Sequence, residues 1–97
     1  MLEDMFGNNK KIKVIDFLLE NRFWDYPIKD IAKQIGMSKK HLSRILPAFL
    51  ELNVMKETRK IGLATLYQAN MDSPLMKKAE ELSLEIATII NDKITEN

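Results

Sequence analysis

The sequence predicts an α+β, mostly α fold: three helices, a β-hairpin and a long last helix. Three observations predict it. Apolar residues recur at helical spacing along Ile28–Ile35 and again from Leu42 to Leu50. Two runs rich in β-branched and aromatic residues flank a glycine at position 62. Beyond Pro74, Leu, Ala and Ile repeat at alternating steps of four and three, as in a coiled-coil seam. Residues 1–72 are expected to form the helix-turn-helix domain with its hairpin, and residues 73–97 a helix for self-association.

The bulk composition narrows the function classes. A chain of 97 residues fits one domain, and 45% hydrophobic with 30% charged residues is the balance of a globule. Without cysteine there is no disulfide and no thiolate metal site, and the single histidine, His41, excludes a site built from several. No metal and no cofactor is expected. No apolar run approaches the ~18–20 residues that cross a bilayer, and the opening MLEDMFGNNKK lacks a secretory pattern, so no membrane role and a cytoplasmic location are expected.

Taken in order, Leu2, Met5 and Phe6 before Gly7 form a short lead-in that either docks on the body or frays. Asn8 or Asn9 caps a first helix reaching about Glu20, with Ile12, Ile15, Leu18 and Leu19 as its stripe. Phe23 to Pro27 is too aromatic for a loose loop and predicts one short extended segment, its aromatics serving core or interface rather than a pocket. The next helix spans Ile28 to Ile35, with Ile28, Ile31, Ala32 and Ile35 on one face. Gly36 stops it, because glycine enters the left-handed region without a Cβ penalty, and Ser38 caps the helix that follows.

That helix is expected from Lys39 to about Leu52, buried through Leu42, Ile45, Leu46, Phe49 and Leu50. Pro47 removes a donor and crowds the carbonyl of Ser43, which predicts a kink or a split into two helices. Val54–Thr58 and Thr65–Ala69 read as the arms of the hairpin, with residues 59–64 as its loop. Asp72 or Ser73 caps the last helix, with Pro74 at its first position. Its seam runs through Leu75, Ala79, Leu82, Ile86, Ile89 or Ile90, and Lys93 or Ile94. A domain this small cannot cover so long a stripe, so a second copy of the chain is the expected partner.

The unit that carries function is Ile28 to Leu52, a helix-turn-helix whose second helix has the dimensions to enter a major groove. With Leu42 and Ile45 beneath, the residues Lys39, Lys40, His41, Ser43 and Arg44 face outward beside the capping Ser38. Lysine neutralises phosphate, and arginine grips guanine O6 and N7 with two hydrogen bonds. Lys56, Arg59 and Lys60 on the hairpin would add backbone contacts. From Ser38 to Lys60 six basic residues face two acidic ones, whereas from Ser73 onward three lysines face five acids. A net charge of +1 therefore hides a segregated basic region.

In this arrangement the chain resembles the winged helix-turn-helix transcriptional regulators of the MarR/ArsR-like superfamily, small archaeal members in particular. The residues that carry the resemblance are Phe6-Gly7, Ile31-Ala32, Ile35-Gly36-Met37-Ser38, Leu42-Ser43-Arg44, Leu52-Asn53-Val54, Gly62, Tyr67, Asn70 and Pro74. The resemblance implies that the helix from Ser38 recognises double-stranded DNA, that the hairpin is the wing, and that the last helix joins two subunits. It also implies a more basic wing tip than Ile61-Gly62-Leu63, and a longer or more charged helix than Pro47 allows. Catalysis has no residue pattern behind it: no glycine-rich phosphate loop and no nucleophile with a base. The competing reading is a winged-helix module that joins proteins without touching DNA. A third is a regulator whose effector, of unknown chemistry, binds near Trp24.

Overall fold

The computed structural model describes residues 1–95. Its elements run α1 (Leu2–Phe6), α2 (Lys10–Glu20), β1 (Tyr26–Pro27), α3 (Ile28–Ile35), α4 (Lys39–Glu51), β2 (Met55–Ile61), β3 (Ala64–Ala69) and α5 (Pro74–Thr95). The three strands form one antiparallel sheet in the order β1-β3-β2. The helix-strand inventory expected from the sequence is thus present, with one element more, since the lead-in is itself a helix.

That helix docks rather than frays. α1 is too short to be stable alone, and its first backbone donors are taken by a distant side chain. The N–H groups of Leu2 and Glu3 donate to the Asp16 carboxylate at 2.9 and 3.1 Å. Leu2 is buried beneath it. α2 starts where Asn9 accepts from the backbone N–H of Lys11 and Ile12. Its buried arc differs from the expected stripe: Val14, Phe17, Leu18 and Leu19 are inside, while Ile12 and Ile15 are only partly covered. The reason is that α2 is packed on two sides, by α1 and by α3, so its buried arc is wider than a single stripe.

The turn from α3 to α4 closes as a Schellman motif. Gly36 sits at φ 70°, its N–H donates to the Lys33 carbonyl, and the N–H of Met37 reaches back to Ala32 at 2.9 Å. Ser38 then accepts from the backbone N–H of His41 at 3.0 Å. The same device ends α4: Asn53 adopts φ 60°, and Val54 donates to the Phe49 carbonyl at 3.1 Å. Pro47 neither splits nor ends α4, which is one helix of 13 residues. Pro47 lies on the exposed side, so the carbonyl it leaves without a helical donor also faces solvent, while Leu42, Leu46 and Phe49 hold the other side in the core.

The hairpin is longer in strand and shorter in loop than expected. β2 continues through Arg59, Lys60 and Ile61, and the turn is only Gly62-Leu63. Gly62 has φ 60° at the first of the two turn residues, the place a type II′ hairpin turn reserves for glycine. The register shifts between Glu57 and Arg59, so Thr58 is an extra residue in β2.

One core joins all helices. Ile31, Leu42, Met76, Val14 and Val54 are its most enclosed large side chains, each contributing about 1.5–3 kcal/mol on burial. Met76 belongs to α5, beyond the expected boundary at residue 72. α5 is capped by Ser73, whose hydroxyl accepts from the Met76 N–H. At 22 residues it is about 33 Å long, which accounts for an elongated body of 51 × 27 × 20 Å.

Candidate nucleic-acid interface

The outward face of α4 is built by its own periodicity. Leu42, Leu46 and Phe49 are buried and Ile45 and Leu50 half-buried, which turns Lys39, Lys40, Ser43, Arg44 and Pro47 to solvent. Lys40 and Arg44 stand one turn apart on that face, and Ser43 lies beside them. His41 is half-buried at the edge. Ser38 uses a lone pair to cap α4 and keeps its own hydroxyl hydrogen to donate. No ion pair among the described residues engages Lys39, Lys40 or Arg44.

The bulge at Thr58 divides the three hairpin cations. Residues directly opposite in an antiparallel pair point to the same face. Lys60 pairs with Thr65 and Glu57 with Tyr67, and both Thr65 and Tyr67 line a shallow groove of about 430 Å³ against Lys39 of α4. Lys56 pairs with Gln68 and Arg59 with Leu66, on the opposite face. Lys56 lines a second cleft of about 590 Å³ with Arg22, Gln68, Lys77 and Glu80, where Arg22 and Glu80 are ion-paired. The structure therefore brings Lys60 to the side of α4, and not Lys56 or Arg59.

Arg59 is otherwise engaged. Its Nε and Nη2 donate to the two oxygens of Asp25 at 2.9 and 3.2 Å, and the Thr58 hydroxyl donates to the same carboxylate at 2.6 Å. The Arg59 guanidinium, and after it Thr58, holds the Asp25 carboxyl below its ordinary range, and Asp25 in turn raises Arg59. This fork ties the bulge of β2 to the segment before β1. Tyr67, on the floor of the first groove, is pushed up by burial and secondarily by the charge of Glu57, which keeps its phenol neutral.

One residue on the α4 side escaped the sequence reading. Lys29, exposed at the start of α3, lines the groove with Lys39. Its signal was its place opposite the Ile28-Ile31-Ala32-Ile35 stripe. Leu63, at the hairpin turn, lines the same groove. The aromatic segment also divides: Tyr26 packs edge-on against Phe17 with ring centroids 5.2 Å apart, whereas Phe23 and Trp24 are largely exposed on the turn after α2. Trp24 lines neither cleft.

Along α5 the expected seam is split. Ala79, Leu82 and Ile86 pack against the chain's own core with Met76, while Leu75 and Ile89 are exposed and Ile90 half-buried. Leu84, outside the expected set, is also exposed, as are Met5 and Phe6 on α1, which packs against α5. The side chain of Ile94 lies outside the described residues.

Solved structures with the same arrangement were found. A variant of ZitR from Lactococcus lactis in its apo form matches with a TM-score of 0.71 over 96% of this chain and 73% of that one, at 14% identity. The homodimeric winged helix-turn-helix DNA-binding domain of Mb0332 from Mycobacterium bovis, a possible ArsR-family transcriptional regulator, matches at 0.61 over 95% and 77%, with 15% identity.

The fold is a winged helix-turn-helix.

In this winged helix, α3 and α4 form the helix-turn-helix and β2–β3 the wing. The antimony-specific transcriptional repressor AntR shares the fold, with a TM-score of 0.67 over 94% of this chain and 78% of that one at 18% identity. No family model and no curated protein matches the sequence. Similarity at these identities is one of architecture.

Proposed function

We infer that the chain is a transcriptional regulator of the MarR/ArsR-like kind that binds double-stranded DNA sequence-specifically as a homodimer. The observation that carries the reading is the α4 surface: Lys39, Lys40 and Arg44 exposed, unpaired by any acid among the described residues, and backed by a rigid apolar underside on a winged helix. Arg44 is the residue placed to read a base edge, with Ser43 and His41 beside it. Ser38, Lys39, Lys40 and Lys60 hold phosphates. Lys56 and Arg59, on the far face of the wing, are left out of this set.

Two recognition helices need a two-fold partner. Exposed Leu75 and Ile89 lie along the same stripe of α5 as the half-buried Ala79, Leu82, Ile86 and Ile90, which the chain's own core covers only in part; a second copy can complete that stripe, and Met5 and Phe6 extend it. A site with pseudo-palindromic halves about 34 Å apart, or a multiple, follows from that symmetry.

The test is a salt titration of binding to randomised duplex DNA, with sequencing of the retained duplexes and sedimentation of the free protein. A symmetric enriched site and a dimer are expected. Lys39→Ala with Arg44→Ala should flatten the log–log salt slope by ~0.9 for each phosphate that a protomer no longer neutralises. No retention at low salt would defeat the reading and leave association with another protein in its place.

A further inference from the structure

In the dimer inferred above, α5 has to meet a second copy and also hold its own winged body at a fixed angle. Most of its attachment to that body is apolar. Met76 is fully buried, and Ala79, Leu82 and Ile86 lean on the core. Apolar packing has no preferred direction, and helices packed in this way slide past one another. The element that packs most closely along α5 is α1, a helix of five residues that is itself held by hydrogen bonds to Asp16.

One directional contact stands beside these. Glu80 lies one turn after Met76, on the side of α5 that faces the body, and is ion-paired with Arg22. Neither side chain has more than a third of its surface exposed. Arg22 is a junction of three elements. Its Nε donates to the Leu19 carbonyl at the end of α2 at 3.0 Å, and its Nη1 meets Glu80 on α5. Its backbone carbonyl accepts the side-chain amide of Gln68, on β3 of the wing, at 2.9 Å. α2 packs on α3, which turns at Gly36 into α4. The rigid fork of an arginine fixes the geometry of what it holds. The pair therefore sets the angle between α5 and the body, which the apolar contacts leave free.

That angle matters on a two-part site. Each added base pair moves the second half-site by about 3.4 Å and turns it by about 34° around the duplex. A body 27 Å wide swings its far side through one such step, about 3.4 Å, for a rotation of only about 7°. We propose that Arg22, acting through Glu80, is the positioning residue that fixes the separation of half-sites this chain accepts. It rests on the dimeric DNA-binding reading above and adds a determinant that touches no DNA, since the pair lines the cleft behind the wing and not the groove at Lys39.

The experiment uses the full chain on duplexes that carry the selected half-site once, or twice with the separation changed one base pair at a time. The native protein should lose about tenfold at one base pair from its best separation, because the two contacts are then no longer made together. Arg22→Met and Glu80→Gln should flatten that profile to within about threefold, chiefly by weakening the best site. Their affinity for a single half-site, their salt slope and their sedimentation as dimers should match those of the native chain. Glu80→Gln keeps the shape of the side chain and removes its charge, so it carries the test alone if melts show Arg22→Met unfolded. A native profile in both variants would overturn the proposal and spare the DNA reading. Equal losses on every duplex, the single half-site included, would also overturn it, since the pair would then only support the fold. A native chain indifferent to separation would do the same, and one that binds no duplex would end both.

Discussion

Gly36→Ala isolates the corner on which α4 turns away from α3. Gly36 lies at φ 70° and ψ 38°, the left-handed helical region. A methyl group built there would meet no atom within 4 Å, so the substitution adds no clash and its cost is that of the backbone alone. Placing an L-residue in that region costs about 1–2 kcal/mol, and the stiffer unfolded chain offsets this by about 0.4–1 kcal/mol. The net expectation is a destabilisation of about 1 kcal/mol, and Tm falls by about 4–8 °C for each kcal/mol in a domain of this size. Urea and thermal melts at fixed protein concentration measure it, the concentration being held because dimerisation would move Tm. Gly36→Asn is the control, since asparagine tolerates the left-handed region and already ends α4 in it at Asn53. It should cost less than alanine. If alanine is neutral, or if asparagine costs as much, the corner is not held by its dihedral angle and the account of the turn is wrong.

Two further perturbations probe the scaffold around the site. Asp16→Ala removes the acceptor of the Leu2 and Glu3 N–H groups and should cost about 1–3 kcal/mol with release of α1, seen as faster amide exchange at Leu2 and Glu3; unchanged exchange there would contradict the docking of α1. Asp25→Asn and Arg59→Ala should have similar effects singly and together, and neither should alter the salt slope of DNA binding, because Arg59 sits on the far face of the wing and Asp25 in the segment before β1 that Arg59 holds there. A slope that falls in Arg59→Ala would put Arg59 on a phosphate after all. The folded value of Asp25 lies below its ordinary 3.8, so the fork's contribution is present above that pH and is lost as pH falls through the lowered value. The Asp25 carboxyl carbon, followed by NMR, should titrate below the ordinary aspartate value of 3.8.

The parts legible in the sequence were those whose cause is local. α3 begins and ends at the residues its periodicity gives, because one face is buried and a glycine stops it. The caps Asn9, Ser38 and Ser73 act within three residues of themselves. What the sequence hid has partners far along the chain. α1 owes its first hydrogen bonds to Asp16, and Arg59 is fixed by Asp25, 34 residues before it. The wing's incoming strand runs past its expected end because pairing with β3 continues through Arg59, Lys60 and Ile61, although every residue of β2 after Met55 is exposed and Thr58 is an extra residue in the register. That extra residue also decides which cations face α4, information that no count of lysines and arginines contains.

The charge distribution gives the assembly its logic. Away from α4 the arginines are neutralised at short range, Arg59 by Asp25 and Arg22 by Glu80, whereas Lys39, Lys40, Arg44 and Lys60 have no acid paired to them among the described residues. A chain of net charge +1 can thus present a cationic face without becoming indiscriminately sticky. The same economy limits a single copy: with Arg44 on a base edge, the three lysines would neutralise few phosphates, for a salt slope of about 3, and two copies about 5. On the proposed function, affinity at physiological salt would therefore depend on doubling the face. On that account the apolar exposure of α5 and the sparse basic surface of α4 are one design, since either alone would leave the other without use.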